Sequence, residues 1–349
     1  MRYLWLPLVV LLAIGGCKGG SKDASGDKLP LTRLNVFALE EIRSSGFEGA
    51  VLREFAKKHN CEVQLTLFPD QSSLLEALHR EENRGRADLA LGIDNSFALS
   101  DSLLSVFEPA SELKLEQLNH DIIRDEQRRI VPYAYSNLAI IYNEDIFPDP
   151  PQSFGELQDA RFYSQLAVCD PQTTGLGRNT LFWTRAIFGE AGYEQLWQSL
   201  RKNVRKVFDS PAAALEGLKS GDCGLMLGFI STPAWIEELN QSEKRFKYSV
   251  PKEGSFQYVE YAGLCKNATN SAEAVKLVQF LIDPDVQRQM MYQLGLLPVN
   301  ARTGLPVRFA SIPLSSYTLN RRLDKDTVRE GLPRWLDAWY RIFVLRLGL

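Results

Sequence analysis

The chain is poor in the residues and motifs on which most catalytic and nucleic-acid-binding proteins depend. It has three histidines in 349 residues, and its 40 lysines and arginines are outnumbered by 43 aspartates and glutamates. Without a basic excess, binding of the whole chain to nucleic acid is not expected. GxSxG, HExxH and Walker A motifs are absent, so we predict no enzymatic activity and no cofactor. A composition of 45% hydrophobic and 24% charged residues excludes a disordered chain and a polytopic membrane protein.

The N-terminal segment has the features of an export signal. Arg2 precedes an apolar run, Leu4–Ile14, which is shorter than the roughly 20 residues that a membrane-spanning helix needs. A short apolar run between a basic residue and small residues is typical of a secretory signal peptide. The following Ile14-Gly15-Gly16-Cys17 resembles a bacterial lipoprotein box, which implies cleavage before Cys17 and acylation of its sulfur; a plain signal peptide is the alternative. We therefore predict a signal peptide over residues 1–16 and a polar, flexible tether over residues 17–30.

Four further cysteines have a spacing that favours neither a metal site nor a redox site. They lie far apart and form no CxxC motif. Disulfides can form in an exported protein. Most of these cysteines, however, adjoin apolar strand-like runs, which favours buried free thiols. The four are Cys61, Cys169, Cys223 and Cys265.

The body of the chain alternates between strand and helix patterns. Apolar residues recur at helical spacing in Glu48–His59 and Ser72–Glu82, and apolar runs separate these segments. Such a βαβαβ order predicts an α/β fold with a parallel sheet covered on both faces. In this first half, strands are expected at Leu34–Leu39, Glu62–Phe68 and Ala87–Ile93.

The second half repeats this pattern and contains two long apolar segments. Ile130–Tyr142 and Phe256–Leu264 are expected to be strands that cross between two lobes. We assign residues 31–134 and 262–300 to lobe 1, and residues 135–261 and 301–349 to lobe 2. Further strands are expected at Leu166–Cys169, Val204–Phe208 and Gly224–Phe229. Helices are expected from the capping pattern Ser153–Glu156, over Gly177–Phe188, from Ser210-Pro211, from Thr232-Pro233, and over Ser271–Ile282, Pro284–Leu294 and Lys325–Val344.

Two strand ends carry polar groups suited to a small ligand. Asp170–Gly177 lies between a predicted strand and a predicted helix, and free N–H groups at a helix start can form an anion pocket with the hydroxyls of Thr173 and Thr174. Asp94 ends another strand, where open α/β sheets place their ligands, and its carboxylate suits a cationic or N–H-rich group. A helix cap without ligand is the alternative at both places.

Aromatic residues gather at three more strand ends or helix starts. Tyr133 and Tyr135 form one group, Phe229 and Trp235 a second, and the strand Phe256–Tyr261 a third. Any one group is more often core than ligand site. Together they indicate an aromatic-lined cleft between two lobes.

Several short segments, in their order and spacing, resemble the periplasmic solute-binding proteins of ABC importers, and among these the thiamine-binding subgroup. The resemblance covers about residues 33–343. Its pieces are Leu89–Asn95, Val131–Tyr135, Pro150–Leu157, Asp170–Thr174 through Trp183, Ser231–Trp235, Glu253-Gly254, Val259-Glu260, Leu297–Asn300, and Trp335 with Trp339.

This resemblance implies a type II Venus-flytrap fold that closes on a ligand between two lobes. By position, Thr174 and Gly175 fall in the family's phosphate loop, and Asp94 falls at its acidic ligand contact. The ring-stacking positions are Phe229 and Trp235. The family's other aromatic positions hold Leu39, Gly46, Pro211 and Gly295, so Phe47 and Tyr135 are the aromatics that would substitute, unless the ligand differs.

The resemblance also implies a location and partners. The protein is expected on the periplasmic side of a bacterial membrane, as a monomer whose only membrane contact is a lipid anchor. Its expected partners are an ABC permease and the ATPase of that permease, and its expected ligand is thiamine or a thiamine phosphate. The alternatives are a binder of another phosphate- or phosphonate-bearing solute and a ferric-iron binder, although the Tyr-Tyr pair typical of iron sites is missing. A secreted hydrolase and an adhesive surface lipoprotein are less well supported.

Overall fold

A computed structural model of the protein describes residues 31–314 and 317–345. The predicted signal peptide, the tether and Cys17 lie outside these residues. The strands are β1 (Thr32–Leu39), β2 (Cys61–Phe68), β3 (Leu89–Asp94), β4 (Ile130–Asn143), β5 (Leu166–Cys169), β6 (Val204–Phe208), β7 (Leu225–Phe229), β8 (Phe246–Ser249), β9 (Gln257–Leu264) and β10 (Leu297–Pro298). The α-helices are α1 (Glu41–Ser44), α2 (Arg53–His59), α3 (Gln71–His79), α4 (Asp101–Leu104), α5 (Gly175–Leu200), α6 (Pro211–Ser220), α7 (Thr232–Leu239), α8 (Ser271–Leu281), α9 (Pro284–Leu294), α10 (Val307–Ala310) and α11 (Lys325–Phe343).

The strands form one continuous, mixed sheet in the order β2-β1-β3-β9-β4-β7-β5-β6. Parallel pairs occur at both ends, between β1 and its neighbours β2 and β3, and between β5 and its neighbours β6 and β7. The prediction of a parallel sheet from the βαβαβ order is therefore confirmed for β1, β2 and β3, whereas the centre of the sheet is antiparallel. There, β9 pairs antiparallel with β3 and β4, because a strand from late in the chain inserts between them.

Strand β4 connects the two parallel groups. Its first part, Ile130–Asn137, pairs with β9, and its second part, Leu138–Tyr142, pairs with β7. All fourteen of its residues are buried, which explains the long apolar run in the sequence. The two segments predicted to cross are thus β4 and β9, while the boundaries of the two lobes remain a prediction.

Local capping signals explain most helix starts. The predicted start of α6 is confirmed, since Ser210 accepts a hydrogen bond from the backbone N–H of Ala213 and Pro211 begins the helix. Gly221 ends the helix in the left-handed conformation. The capping contact of Ser153 with the backbone N–H of Glu156 is also present at 3.0 Å. The helix expected after it is only a single 3₁₀ turn, Glu156–Gln158, because Asp159 is extended and caps a second short turn.

The core surrounds the sheet and contains most of the large side chains. All four cysteines in the described part of the chain are buried free thiols, as the sequence predicted. Among the described residues, no helix is both long and apolar enough to cross a membrane.

Candidate functional site

The two parallel groups of strands run in opposite directions, and candidate ligand residues lie at or just beyond the carboxyl ends of four of their strands. Glu41 follows β1, Asp94 ends β3, Gly175 lies beyond β5, and Phe229 ends β7. In open α/β sheets, ligands bind outside the carboxyl ends of the strands, and here the ends of the two groups approach each other near the middle of β4. The sheet thus brings groups from both of its halves to one location.

Asp94 lies against the first turn of α5. Its Oδ2 accepts a hydrogen bond of 2.6 Å from Gln71 Nε2, and its Oδ1 accepts one of 2.7 Å from the backbone N–H of Ser96. Contact with α5 is so close that a Cβ at Gly175 would overlap Asp94 Oδ2 and lie 2.9 Å from Gln71 Nε2. A carboxylate is favoured there, because the N-terminus of a helix carries a partial positive charge. Asp94 and the predicted anion loop are therefore brought together.

Thr174 acts as the N-cap of α5. Its buried hydroxyl accepts from the backbone N–H of Gly177 at 3.0 Å and donates to the carbonyl of Asp170 at 2.7 Å. Thr173 is exposed, and both threonines line a narrow crevice with Gln71, Phe97 and Arg178 among others. The capping role that the sequence left open for Thr174 is thus present in the structure.

Arg178 is the basic side chain of this crevice. Its guanidinium lies 4.6 Å from the centre of the Phe97 ring and donates to the carbonyl oxygens of Pro171 and Gln172. Burial lowers its pKa, whereas the nearby Asp94 and Asp70 act in the opposite direction. The arginine holds the loop before α5 in place and supplies positive charge beside Asp94.

A second carboxylate, Glu260, lies next to Asp94 in the sheet. In the antiparallel pairing of β3 and β9, Asp94 and Glu260 are directly opposite each other. Directly opposite residues project from the same face, and like charges placed so destabilise a sheet. Tyr258 partly compensates by donating a hydrogen bond of 3.1 Å to Glu260 Oε1.

The pKa values of the acidic groups reflect this crowding. Burial, with the charge of Glu41 as the next cause, raises the pKa of Glu260 to about 7. Although Glu41 keeps a solvent-exposed surface, desolvation by the protein around it, followed by the charge of Asp94, raises its pKa as well. Glu41, Asp94 and Glu260 therefore form an acidic cluster, and we use this name for it below.

An aromatic pair adjoins the acidic cluster. The rings of Phe229 and Tyr258 lie 4.9 Å apart at an angle of 46°. Tyr258 is buried, whereas Phe229 is only partly buried. The pair presents an apolar, π-rich surface next to carboxylates, which suits a flat cationic ring.

Two further predicted ligand residues make their contacts with other groups. Trp235 donates from Nε1 to the carbonyl of Tyr292 at 2.9 Å and covers Gly295, where a Cβ would lie 2.9 Å from the indole. Tyr135 pairs with Val259, next to Glu260, and therefore projects from the opposite face of the sheet, towards Asn119. Burial raises the pKa of Tyr135. The structure thus groups Asp94, Thr174, Gly175 and Phe229, but not Tyr135.

The sequence reasoning missed Glu41, and it named no individual ligand residue in the segment Phe256–Tyr261, which contains Tyr258 and Glu260. One signal was available, because Glu260 is the single charged residue of β9, Gln257–Leu264. An unpaired charge in a buried strand is costly and indicates a function. Glu41 had no comparable signal, since it lies in a polar segment.

Comparisons with known proteins agree with this architecture. A family model described as bacterial extracellular solute-binding protein matches residues 87–311. The chain is 25% identical over 311 residues to the thiamine-binding periplasmic protein of Brucella abortus, with 88% of this chain and 91% of the relative covered. It is 26% identical over 311 residues to that of Escherichia coli K12, with 88% and 92% covered. A solved periplasmic thiamin binding protein has a TM-score of 0.78 at 24% identity, over 94% of this chain and 99% of that chain, which confirms the predicted fold class. The chain therefore belongs to the family of bacterial extracellular solute-binding proteins.

Proposed function

We propose that this protein is the substrate-binding component of an ABC importer and that its ligand is thiamine. The observation that carries the proposal is the Phe229–Tyr258 pair beside the acidic cluster. Thiamine joins a cationic thiazolium ring to an aminopyrimidine with N–H donors. The aromatic pair suits the cationic ring, and the carboxylates suit the N–H donors. The names of the relatives in Brucella and Escherichia support the same ligand.

The phosphorylated forms of thiamine add an anionic end. The crevice around Thr173 and Thr174, with Arg178 and the first turn of α5, has the donor groups and the dipole that favour a phosphate. In this structure Asp94 lies against that helix end. We infer that a phosphate would compete with Asp94 for the same partial positive charge.

The same proposal includes the location, the oligomeric state and the partners of the protein. We propose that the chain works in the periplasm as a monomer, anchored through a lipid on Cys17, and that it delivers its ligand to a membrane permease driven by an ATPase. It binds and releases the ligand without chemical change. A polar tether of residues 17–30 would allow the body to reach the permease from the anchor.

Calorimetry on the protein from residue 18 onward tests the ligand. After unfolding and refolding to remove any carried ligand, we expect saturable binding of one thiamine per chain. Ferric citrate and 2-aminoethylphosphonate serve as probes of the iron and phosphonate alternatives. Binding of either probe with no heat from thiamine would contradict the proposal.

Replacing Phe229 with alanine tests the aromatic wall. We expect the affinity for thiamine to fall roughly tenfold, because a partly desolvated cation–π contact contributes about 1–2 kcal/mol. Tyr163→Ala is the control, since that ring is 64% exposed. Equal affinities of the two variants in calorimetry would show that the ligand lies against another surface.

A further inference from the structure

We propose that Glu260 is a ligand-binding residue, that it accepts a hydrogen bond from the cationic or N–H-donating end of the ligand, and that binding releases a proton from it. The inference rests on the proposed function and deepens it, since it assigns the acidic cluster to one chemical part of the ligand. The following observations lead to it.

Position alone makes Glu260 unusual. It is partly buried on a strand in the middle of the sheet, with Asp94 directly opposite on β3 and Ala134 directly opposite on β4. Glu41 faces it from α1, and Tyr258 shares its strand and its face. Among the ion pairs formed by the described residues, none involves Glu41, Asp94 or Glu260. The nearest basic influence is Arg178, which acts on Asp94.

Both neighbouring strands are irregular beside Glu260. The pairing of β3 with β9 shifts at Gly92, and the pairing of β4 with β9 shifts at Tyr133, so that each strand has one extra residue next to Tyr261. Bulges of this kind redirect side chains and are frequent next to functional sites. At Tyr133, the bulge turns the side chain towards Glu260 instead of the face occupied by Tyr135.

The Tyr133 hydroxyl supplies the independent sign of a ligand. Tyr133 is fully buried, and its hydroxyl acts on Glu260, whose pKa it lowers. No hydrogen bond of good geometry to this oxygen occurs among the described residues, although the Glu260 carboxylate and the backbone of Gly92 are close to it. A buried hydroxyl without a partner costs free energy. A polar group of the ligand placed between this hydroxyl and Glu260 would satisfy both.

The residues around Glu260 determine how charge is balanced when the ligand binds. In the free protein, burial, followed by the charges of Glu41 and Asp94, raises the pKa of Glu260 and so favours its protonated form near neutral pH. When a cationic or N–H-donating group arrives, the carboxylate becomes the better acceptor, and the carboxyl proton passes to solvent. Because thiamine carries one positive charge, its uptake together with the release of one proton leaves the charge of the site unchanged.

The pH dependence of thiamine affinity tests this inference. Because the pKa of Glu260 is about 7 in the free protein, we expect the affinity of the wild type to rise about tenfold from pH 6 to pH 8. Glu260→Gln should bind about tenfold more weakly at pH 8 and should lose this dependence. Calorimetry in two buffers of different ionisation enthalpy would detect the released proton in the wild type and none in the variant.

Two more variants make the result specific. Tyr133→Phe should shift the midpoint of the pH dependence upwards, because the hydroxyl that lowers the pKa of Glu260 is lost while the ring remains. Glu62→Gln removes an exposed carboxylate paired with Arg33 and should behave as the wild type. Equal affinity and equal proton release in Glu260→Gln and the wild type would overturn the inference while the proposed function stands. Failure of the wild type to bind thiamine would contradict the proposed function and the inference with it.

Discussion

Replacing Gly175 with alanine will lower the affinity for thiamine by roughly 100-fold, because forced overpacking costs up to about 3 kcal/mol. The new Cβ would overlap Asp94 Oδ2 and approach Gln71 Nε2 to 2.9 Å. Asp94 and Gln71 are also joined by hydrogen bonds of 2.6 and 3.0 Å, so neither residue can move away from the new Cβ without breaking them. The end of β3 and the start of α5 would therefore have to separate.

The effect on binding can be distinguished from an effect on folding. Gly175 does not have a positive φ, and alanine is a better helix former than glycine, so α5 itself should form normally. Gly49→Ala is the matched control, because a Cβ there would meet nothing within 4 Å. Calorimetric titration of both variants with thiamine measures the difference. If Gly175→Ala binds as tightly as Gly49→Ala, the contact between Asp94 and α5 is not part of the binding state.

Replacing Trp335 with alanine will destabilise the protein by about 3–5 kcal/mol, the usual cost of removing a buried tryptophan. The side chain is fully buried between α5 and α11, with ring centres 5.9 Å from Phe182 and 6.2 Å from Tyr193. Its indole N–H also donates to the carboxylate of Glu190 at 3.1 Å. Removal leaves both a cavity and a weakened contact between the two helices.

Denaturation by urea, followed by circular dichroism, measures this loss. Tyr340→Ala on the same helix is the control, because that side chain is 39% exposed and should contribute far less. Trp335→Phe should lie between the wild type and Trp335→Ala, since it keeps part of the volume but loses the N–H donor. A midpoint for Trp335→Ala equal to that of Tyr340→Ala would mean that α11 does not stabilise the body.

Much of the secondary structure was predictable because its signals are local. The bounds of α9, Pro284–Leu294, agree residue for residue with the expectation, since Pro284 can begin a helix and Gly295 can end one. The same holds for β5, a short buried apolar run, and for β6, in which Val204, Val207 and Phe208 flank two exposed basic residues. The Ser153–Glu156 signal also formed its capping contact, but Asp159 ended the helix after one turn. Local rules thus predicted where elements begin better than how long they last.

Only part of the candidate site could be predicted from the sequence. Asp94, Thr174, Gly175 and Phe229 were found because each lies at the end of a parallel strand, a position that the order of elements already predicts. Tyr135 was placed with them because it stands beside other aromatics in the chain. Because of the bulge at Tyr133 and the pairing of Tyr135 with Val259, the side chains of these two tyrosines lie on different faces of the sheet.

By itself, the sequence determined the α/β alternation, the crossing strands and the strand ends that carry polar groups, because these depend on periodicity and capping among near neighbours. Only the tertiary structure decided that β9 inserts antiparallel between β3 and β4 and so places Glu260 opposite Asp94. Strand register depends on how side chains from distant segments pack, and a shift of one residue would turn Glu260 to the other face. The acidic cluster is therefore a property of the folded sheet and of no segment taken alone.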